Sequence, residues 1–130
     1  MAQAELEKGA ECLSLALLLS RGDLGGASAC LARDACLLTP DATAVHGREG
    51  VRMVLAQLIA SGLRIEVECR RLLVAGDTAV SRERWIVTSN GARSARATGL
   101  LRPTLCLQRI EGAWKLTVLV LWGWGSSLER

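Results

Sequence analysis

The stretch "LRIEVECRRLLVAGDTAVSRERWIVTS", residues 63–89, decides the fold class of this 130-residue chain. Apolar and charged residues alternate along its first half, and a period of two is typical of a strand with one buried face. The triplet "AGD" is a turn signal, and a second extended run follows it. The stretch therefore predicts an antiparallel hairpin of strands 63–75 and 78–89. In the first strand, the residues predicted to face the core are Ile65, Val67 and Cys69, opposite to Glu66, Glu68 and Arg70.

The chain after this hairpin continues as strand. "NGARS" and "EG" are turn signals, and they separate two further predicted strands, residues 96–110 and 113–124. The second half of the chain is therefore predicted to be an antiparallel meander of long strands.

Helices are predicted in the first half, where apolar residues recur at spacings of three and four. Two short extended pieces, "ACLLTP" and "ATAVHG", lie between the second and third helices around the turn signal Pro40-Asp41. Helices followed by a run of strands predict one α+β domain over residues 1–130. The predicted helices are residues 4–21, which end before Gly22, residues 24–33, and residues 48–61, which end before Gly62.

The composition indicates a protein with more apolar surface than one small core needs. Half of the residues are hydrophobic, and the mean hydropathy is +0.26. Such a chain covers apolar surface with a partner or lines a hollow with it. No stretch reaches the roughly 20 apolar residues that span a bilayer. Acids and Lys8 precede "LSLALLLS", where a signal peptide would be basic. We therefore expect a soluble, cytoplasmic protein without membrane contact.

The cysteines and the single histidine argue against a metal or disulfide scaffold. The five cysteines include no C-x-x-C pair, and there is no second histidine to complete a zinc site. We expect free, mostly buried thiols, no metal and no cofactor.

The positive charge does not indicate a nucleic-acid partner. The net charge is +3, with fourteen arginines against two lysines. A nucleic-acid binder clusters its basic residues, whereas "RIEVECRR" and "SRERW" interleave both signs. We expect this face to be solvated.

The last predicted strand is apolar on both faces from Val118 to Trp122. One face covers the helices or a cavity, and the other needs cover from elsewhere. A second copy of the chain is the simplest source, so the sequence predicts a homodimer.

The order of the motifs is the most specific feature of the chain: a helix, "RGD", a short helix, "LLTPDA", "HGREGVRMVL", "LLVAGDTAVSRERW" and "GAWKL". This order resembles the NTF2-like superfamily over residues 4–124, and within it the SnoaL-like and ketosteroid-isomerase-like proteins, notably the small bacterial YybH-like group. The resemblance implies a cystatin-like cone, in which a strongly bent, mostly antiparallel sheet wraps around the N-terminal helix and leaves a pocket open at one end. It also implies pairing through the outer face of the sheet.

The resemblance implies a role for His46. In ketosteroid isomerases, the stretch that is similar to "DATAVH" ends in the general base, and His46 stands at that position. An imidazole exchanges protons near neutral pH. The isomerases also need a tyrosine and a protonated acid, but this chain has no tyrosine and "TLCLQ" contains no acid. The resemblance therefore does not extend to isomerase chemistry.

A second relative, limonene-epoxide hydrolase, implies a role for Arg84. "ERWI" is similar to the stretch that carries the hydrolase arginine, but Ile86 stands where an acid belongs. The orientation of this strand has two alternatives. Either Glu83 and Trp85 face inward, or Arg82 and Arg84 do and need an anionic partner. We place Arg84 at the edge of the pocket.

His46 likewise has three interpretations: a capping or packing residue, a pocket-lining residue, or an acid–base catalyst together with Arg84. The residues expected to line the pocket are Leu13, Leu17, Val45, Leu55, Trp85, Val118 and Trp122.

Three functions follow from these observations. The first is a binding protein for a small, mostly hydrophobic molecule. The second is a cyclase, isomerase or hydrolase that uses His46 as base. The third is an association module whose outer sheet face is the functional surface. The missing acids favour binding over catalysis, because an apolar wall holds a ligand but does not move its protons.

Overall fold

The computed structural model describes residues 14–90 and 96–121. It is an α+β structure, as predicted: a curled, open sheet of seven strands with three helices packed on its inner side. The helices are α1 (Leu15–Arg21), α2 (Leu24–Ala29) and α3 (Arg48–Ala60). The strands are β1 (Leu31–Leu38), β2 (Ala44–His46), β3 (Leu63–Ala75), β4 (Thr78–Asn90), β5 (Arg96–Leu101), β6 (Thr104–Ile110) and β7 (Ala113–Val120).

The sheet has the order β2-β1-β7-β6-β4-β3, and β5 pairs with β4. Strands β1 and β7 are parallel, and the other pairs are antiparallel. The prediction of a single strand over residues 96–110 is wrong, because Arg102 and Pro103 separate β5 from β6. Proline has no N–H to give to a ladder, so it favours such a break. The last strand ends at Val120, and the predicted residues 122–124 lie outside the described part.

The helix ends follow local signals closely. Gly22 ends α1 with a φ of 72°, and its N–H donates to the carbonyls of Leu18 and Leu19. Asp23 begins α2 by accepting from the N–H of Gly26 at 2.8 Å. The prediction of a helix over 24–33 was too long, because strand β1 already starts at Leu31. The predicted start of the first helix, residues 4–13, lies outside the described residues.

Strand β3 contains a bulge that the alternation did not predict. Val67 pairs with Trp85, whereas Cys69 pairs with Arg84, so Glu68 is the extra residue. A bulge inserts one residue and reverses the faces of everything that follows. The prediction that Cys69 faces the core is therefore wrong, since Cys69 is exposed.

The core lies between the helices and the inner face of the sheet. Trp85 is 1% exposed, and Leu55 of α3 is fully buried. Packing of these side chains fixes how tightly the sheet curls around α1 and α3. Other fully buried members of the core are Leu15, Leu19, Leu31, Leu37, Leu105, Leu107, Leu116 and Leu119.

The described cysteines are free but not mostly buried, contrary to expectation. Cys69 is exposed, and Cys30, Cys36 and Cys106 are partly buried. Partial burial raises the pKa of the Cys30 and Cys106 thiols, so both stay protonated at neutral pH. Cys12 lies outside the described residues.

No helix in residues 14–90 and 96–121 is long and apolar enough to cross a membrane.

Two substitutions on α3 test the placement of the core. Leu55→Ala is expected to lower the free energy of unfolding by about 2–5 kcal/mol, because it leaves a cavity in a close-packed interior. Met53→Ala is the matched control, since Met53 lies on the same helix with 56% exposure, and it should stay within about 0.5 kcal/mol of the wild type. Urea unfolding followed by circular dichroism measures both. Equal losses in the two variants would contradict this orientation of α3.

Candidate functional site

The inner face of β4 carries a polar cluster inside an otherwise apolar core. Ser81 is fully buried, Glu83 is 7% exposed, and Trp85 is 1% exposed. These residues alternate along β4, so all three side chains point to the same side. Arg70 of β3 stands directly opposite Glu83 in the register. We call Arg70, Ser81, Glu83 and Trp85 the Glu83 cluster.

Both oxygens of the Glu83 carboxylate accept a hydrogen bond from a neighbour on the same strand. The Ser81 hydroxyl donates to Oε2 at 2.6 Å, and the Trp85 indole N–H donates to Oε1 at 2.7 Å. Hydrogen bonds to a charged acceptor are short and strong, so these contacts fix the carboxylate.

The Arg70 guanidinium compensates the buried charge. Its Nε lies 3.4 Å from Oε2 of Glu83 and donates to the Ser81 hydroxyl at 3.2 Å. The side chain of Glu83 is 4% exposed and that of Arg70 is 22% exposed. The Glu83 side chain is therefore withdrawn from water, whereas the Arg70 side chain is partly accessible to it.

The cluster presents a fixed hydrogen-bond acceptor inside the core. A carboxylate has about four acceptor positions, and Ser81, Trp85 and Arg70 leave capacity for a further donor. Within the described residues, no group of three or more His, Cys, Asp or Glu side chains is placed to hold a metal ion.

Trp114 is a second polar feature of the core. It is 8% exposed, and its indole N–H has no hydrogen-bond partner among the described residues. A buried donor without an acceptor costs free energy, so this N–H is available to an acceptor that enters the interior.

The structure places neither predicted catalytic residue in the interior. His46 is exposed at the end of β2. Because it pairs with Cys36, its side chain lies on the outer face of the sheet, away from the helices. Arg84 also lies on the outer face, half exposed, and its Nε is 3.2 Å from Oε1 of Glu68. The first alternative for β4 is therefore the correct one, and the placement of Arg84 at the edge of an inner pocket is wrong.

The residues expected to line the pocket divide into three groups. Leu55 and Trp85 are buried in the core, and Val45 packs against it. Leu17 is 49% exposed and Val118 is 37% exposed, so neither is enclosed. Leu13 and Trp122 lie outside the described residues.

Sequence reasoning missed Arg70, Ser81 and Glu83 as site residues. The sequence analysis offered Glu83 and Trp85 as a pair facing inward in one of its two alternatives, but it gave Glu83 no functional role. No sequence pattern could have predicted that Arg70 faces inward, because its orientation depends on the bulge at Glu68.

Removing the Glu83 carboxylate tests the cluster. Glu83→Ala is expected to lower the free energy of unfolding by about 2–4 kcal/mol, because the guanidinium and the indole N–H lose their acceptor in the core. Glu68→Ala is the control and should cost less than about 1 kcal/mol, since the Glu68–Arg84 pair is half exposed. Denaturant unfolding of both variants measures the difference. A loss at Glu83 as small as that at Glu68 would show that the cluster is solvated.

Solved structures that share this fold include the following three. A candidate dehydratase of the NTF2-like family from Streptomyces avermitilis is 19% identical, with a TM-score of 0.78 over 93% of this chain and 96% of that chain. An NTF2-like protein with a cystatin-like fold from Novosphingobium aromaticivorans is 17% identical, with a TM-score of 0.75 over 99% and 94%. A candidate calcium/calmodulin-dependent protein kinase II association domain from Xanthomonas campestris is 17% identical, with a TM-score of 0.73 over 85% and 81%. At these identities the likeness shows the fold alone.

The sequence itself identifies the family. No curated protein matches the chain. The family model of the SnoaL-like domain matches residues 14–106, which is more than half of the chain. The cystatin-like fold and this match agree with the resemblance seen in the order of the motifs. The chain belongs to the SnoaL-like domain family.

Proposed function

We propose that this protein binds a small, mostly apolar molecule on the inner face of its curled sheet and holds the polar group of that molecule at the Glu83 cluster. The observation that carries the proposal is the buried carboxylate of Glu83, 7% exposed in an apolar core. The free thiols of the described cysteines fit a reducing compartment, the cytoplasm.

Stability alone does not account for this cluster. Burial of an ion pair costs desolvation, and well-packed apolar residues in its place are often neutral or stabilising. A charged, hydrogen-bonded group in an apolar site is instead typical of a binding pocket, where a few polar groups orient the ligand. The cluster therefore fits recognition better than packing.

The surroundings of the cluster fit an apolar ligand. Val67 stands opposite Trp85 in the register and keeps 39% of its surface exposed. An accessible apolar side chain beside a buried polar one offers both kinds of contact to the same molecule. The carboxylate selects a ligand that donates, such as an alcohol, and disfavours one that only accepts.

Proton-transfer catalysis is the second candidate function. Its proposed acid–base residue is Glu83 instead of His46. Glutamate carboxylates serve as general acids or bases in enzymes, and Glu83 is the carboxylate that β4 directs inward. A structural neighbour from Streptomyces avermitilis is described as a candidate dehydratase of the NTF2-like family. Loss of turnover in Glu83→Gln without loss of affinity would favour this function over binding alone.

A matched pair of probes tests the binding proposal. 1-Naphthol is expected to bind about tenfold more tightly than naphthalene, because a hydrogen bond to a charged acceptor contributes roughly 1.5 kcal/mol. At 100 times its Kd, 1-naphthol should stabilise the fold by about 2.7 kcal/mol. Isothermal titration calorimetry measures the affinities, and thermal unfolding measures the stabilisation.

The control for this experiment is another glutamate of the same hairpin. Glu83→Gln should reduce the preference for the hydroxyl to about twofold, since a neutral amide oxygen is the weaker acceptor. Glu66→Gln should keep the full preference, since Glu66 is exposed. If neither probe shifts the melting temperature, the inner face is not a binding site for apolar molecules.

We also propose that the chain forms a homodimer through the outer face of its sheet. The registers of three strand pairs align one residue from each of four strands into a continuous row. Val118 on β7, in this row, is 37% exposed. A second copy of the chain would cover this surface, including the outer face of β7. This outer row consists of His46, Cys36, Val118 and Cys106.

One charge in the middle of the outer row tests the dimer. Val118→Glu is expected to convert a dimer into a monomer, because a symmetric interface would bury two uncompensated carboxylates. Met53→Glu is the control, since Met53 is an exposed apolar residue of α3, on the other side of the sheet. Sedimentation velocity measures the oligomeric state. A wild-type monomer, or a dimer that survives Val118→Glu, would remove this part of the proposal.

A further inference from the structure

The outer face of the β3–β4 hairpin carries a concentration of arginines. Arg71 of β3 stands directly opposite Arg82 of β4, and Arg84 follows two residues later on the same face. Arg102, between β5 and β6, completes the group. These four arginines, with Cys69, Glu83 and Pro103, line an open depression of about 280 Å³, which we call the arginine cleft.

The charges of the arginine cleft are mostly uncompensated. Arg84 pairs with Glu68. Arg71, Arg82 and Arg102 are exposed, and none of them has a carboxylate within 4.0 Å in the part of the chain that the structure describes. Like charges directly opposite each other destabilise a sheet. The Arg71–Arg82 pair therefore does not stabilise the hairpin through its charges.

Two irregularities of the backbone create the cleft. The bulge at Glu68 turns Arg71 outward. On the other side, β4 pairs with β6 only as far as Arg82 and with β5 from Trp85 onward. In the gap, the Glu83 N–H donates to the Pro103 carbonyl at 3.0 Å, which holds the connection from β5 to β6 against β4.

The arginine cleft continues into an apolar depression. Arg71 and Arg82 also line this second hollow, of about 470 Å³, together with Leu72, Leu73 and Val80. Leu73 is 71% exposed, the highest value among the large apolar residues that the structure describes. Positive charge and accessible apolar surface therefore adjoin at the Arg71–Arg82 pair.

We infer that this surface binds an amphipathic anion, with a phosphate-type head in the arginine cleft and an apolar chain along Leu73 and Val80. Guanidinium groups bind the oxygens of phosphate in paired hydrogen bonds. Among the described residues, no carboxylate competes for the guanidinium groups of Arg71, Arg82 and Arg102. The negative charge of the bound head would also offset the repulsion between Arg71 and Arg82. Glu83 belongs to the lining of the cleft, but Arg71, Arg82 and Arg84 point to the opposite face of the sheet from the Glu83 carboxylate, so the site does not depend on the proposed ligand of the inner face.

Three probes separate the contributions of head and chain. n-Octyl phosphate is expected to bind at least about tenfold more tightly than inorganic phosphate or n-octanol, because only it fills both parts of the site. Isothermal titration calorimetry below the critical micelle concentration measures the three affinities. Equal binding of n-octyl phosphate and inorganic phosphate would overturn the amphipathic assignment.

Variants locate the site. Arg82→Gln should weaken n-octyl phosphate about tenfold, without loss of thermal stability, because it relieves a like-charge pair. Leu73→Ser should reduce the affinity to that of inorganic phosphate. Arg33→Gln is the control, since Arg33 is exposed on β1 away from both depressions, and it should bind as the wild type does.

Three further outcomes would overturn the inference. The first is unchanged affinity in Arg82→Gln. The second is dissociation of a wild-type dimer by Leu73→Ser, which would assign the apolar depression to the subunit interface. The third is sedimentation of the protein with anionic phosphatidylglycerol vesicles but no binding of n-octyl phosphate, which would indicate a membrane surface as the partner.

Discussion

The extra residue in β3 is the constraint on which both faces of the hairpin depend. With Val67 opposite Trp85 and Cys69 opposite Arg84, the alternation reverses at Glu68. Arg70 then faces inward toward Glu83, and Arg71 faces outward toward Arg82. A regular strand would exchange the two arginines, because continuing the pairing of Val67 with Trp85 would put Arg70 outward opposite Arg82 and Arg71 inward opposite Ser81. The bulge thus decides which arginine serves the inner face and which serves the outer face, and it places Arg70 rather than Cys69 opposite Glu83.

The inner cluster and the outer cleft use arginine under different electrostatic conditions. On the inner face, the Glu83 carboxylate is 4% exposed, so its attraction to Arg70 is weakly screened. The ion pair of Glu83 and Arg70 carries no net charge. It can remain in an apolar core because Ser81 and Trp85 donate hydrogen bonds to the carboxylate. On the outer face, water and salt reduce the repulsion between Arg71 and Arg82. The first arrangement favours a molecule with little charge of its own, and the second favours an anion.

The sequence was sufficient for the elements of the fold but not for the orientation of the site. Periodicity located β3, β4 and α3 to within a residue or two, because one face of each is buried. It placed the end of α1 at Gly22, where a left-handed conformation is needed. It could not show that a residue in the middle of β3 is unpaired, since a bulge depends on contacts with β4. For that reason the sequence predicted the wrong face for Arg70 and Cys69. An inward-facing Glu83 was only one of two alternatives. His46 was assigned by resemblance to a position whose side chain lies on the outer face of β2.

The parallel pairing of β1 with β7 has a consequence for the order of folding. Leu37 pairs with Leu119, residues 82 positions apart in the chain, and β7 lies between β1 and β6 in the sheet. The β3–β4 hairpin can form from local contacts, whereas β1 has no neighbour but the short β2 until β7 has been synthesised. Contacts between distant parts of a chain slow folding because closing a long loop costs entropy. The pairing of β1 with β7 is thus expected to follow the formation of the β3–β4 hairpin, so the sheet closes last at the pair of strands that is farthest apart in the chain.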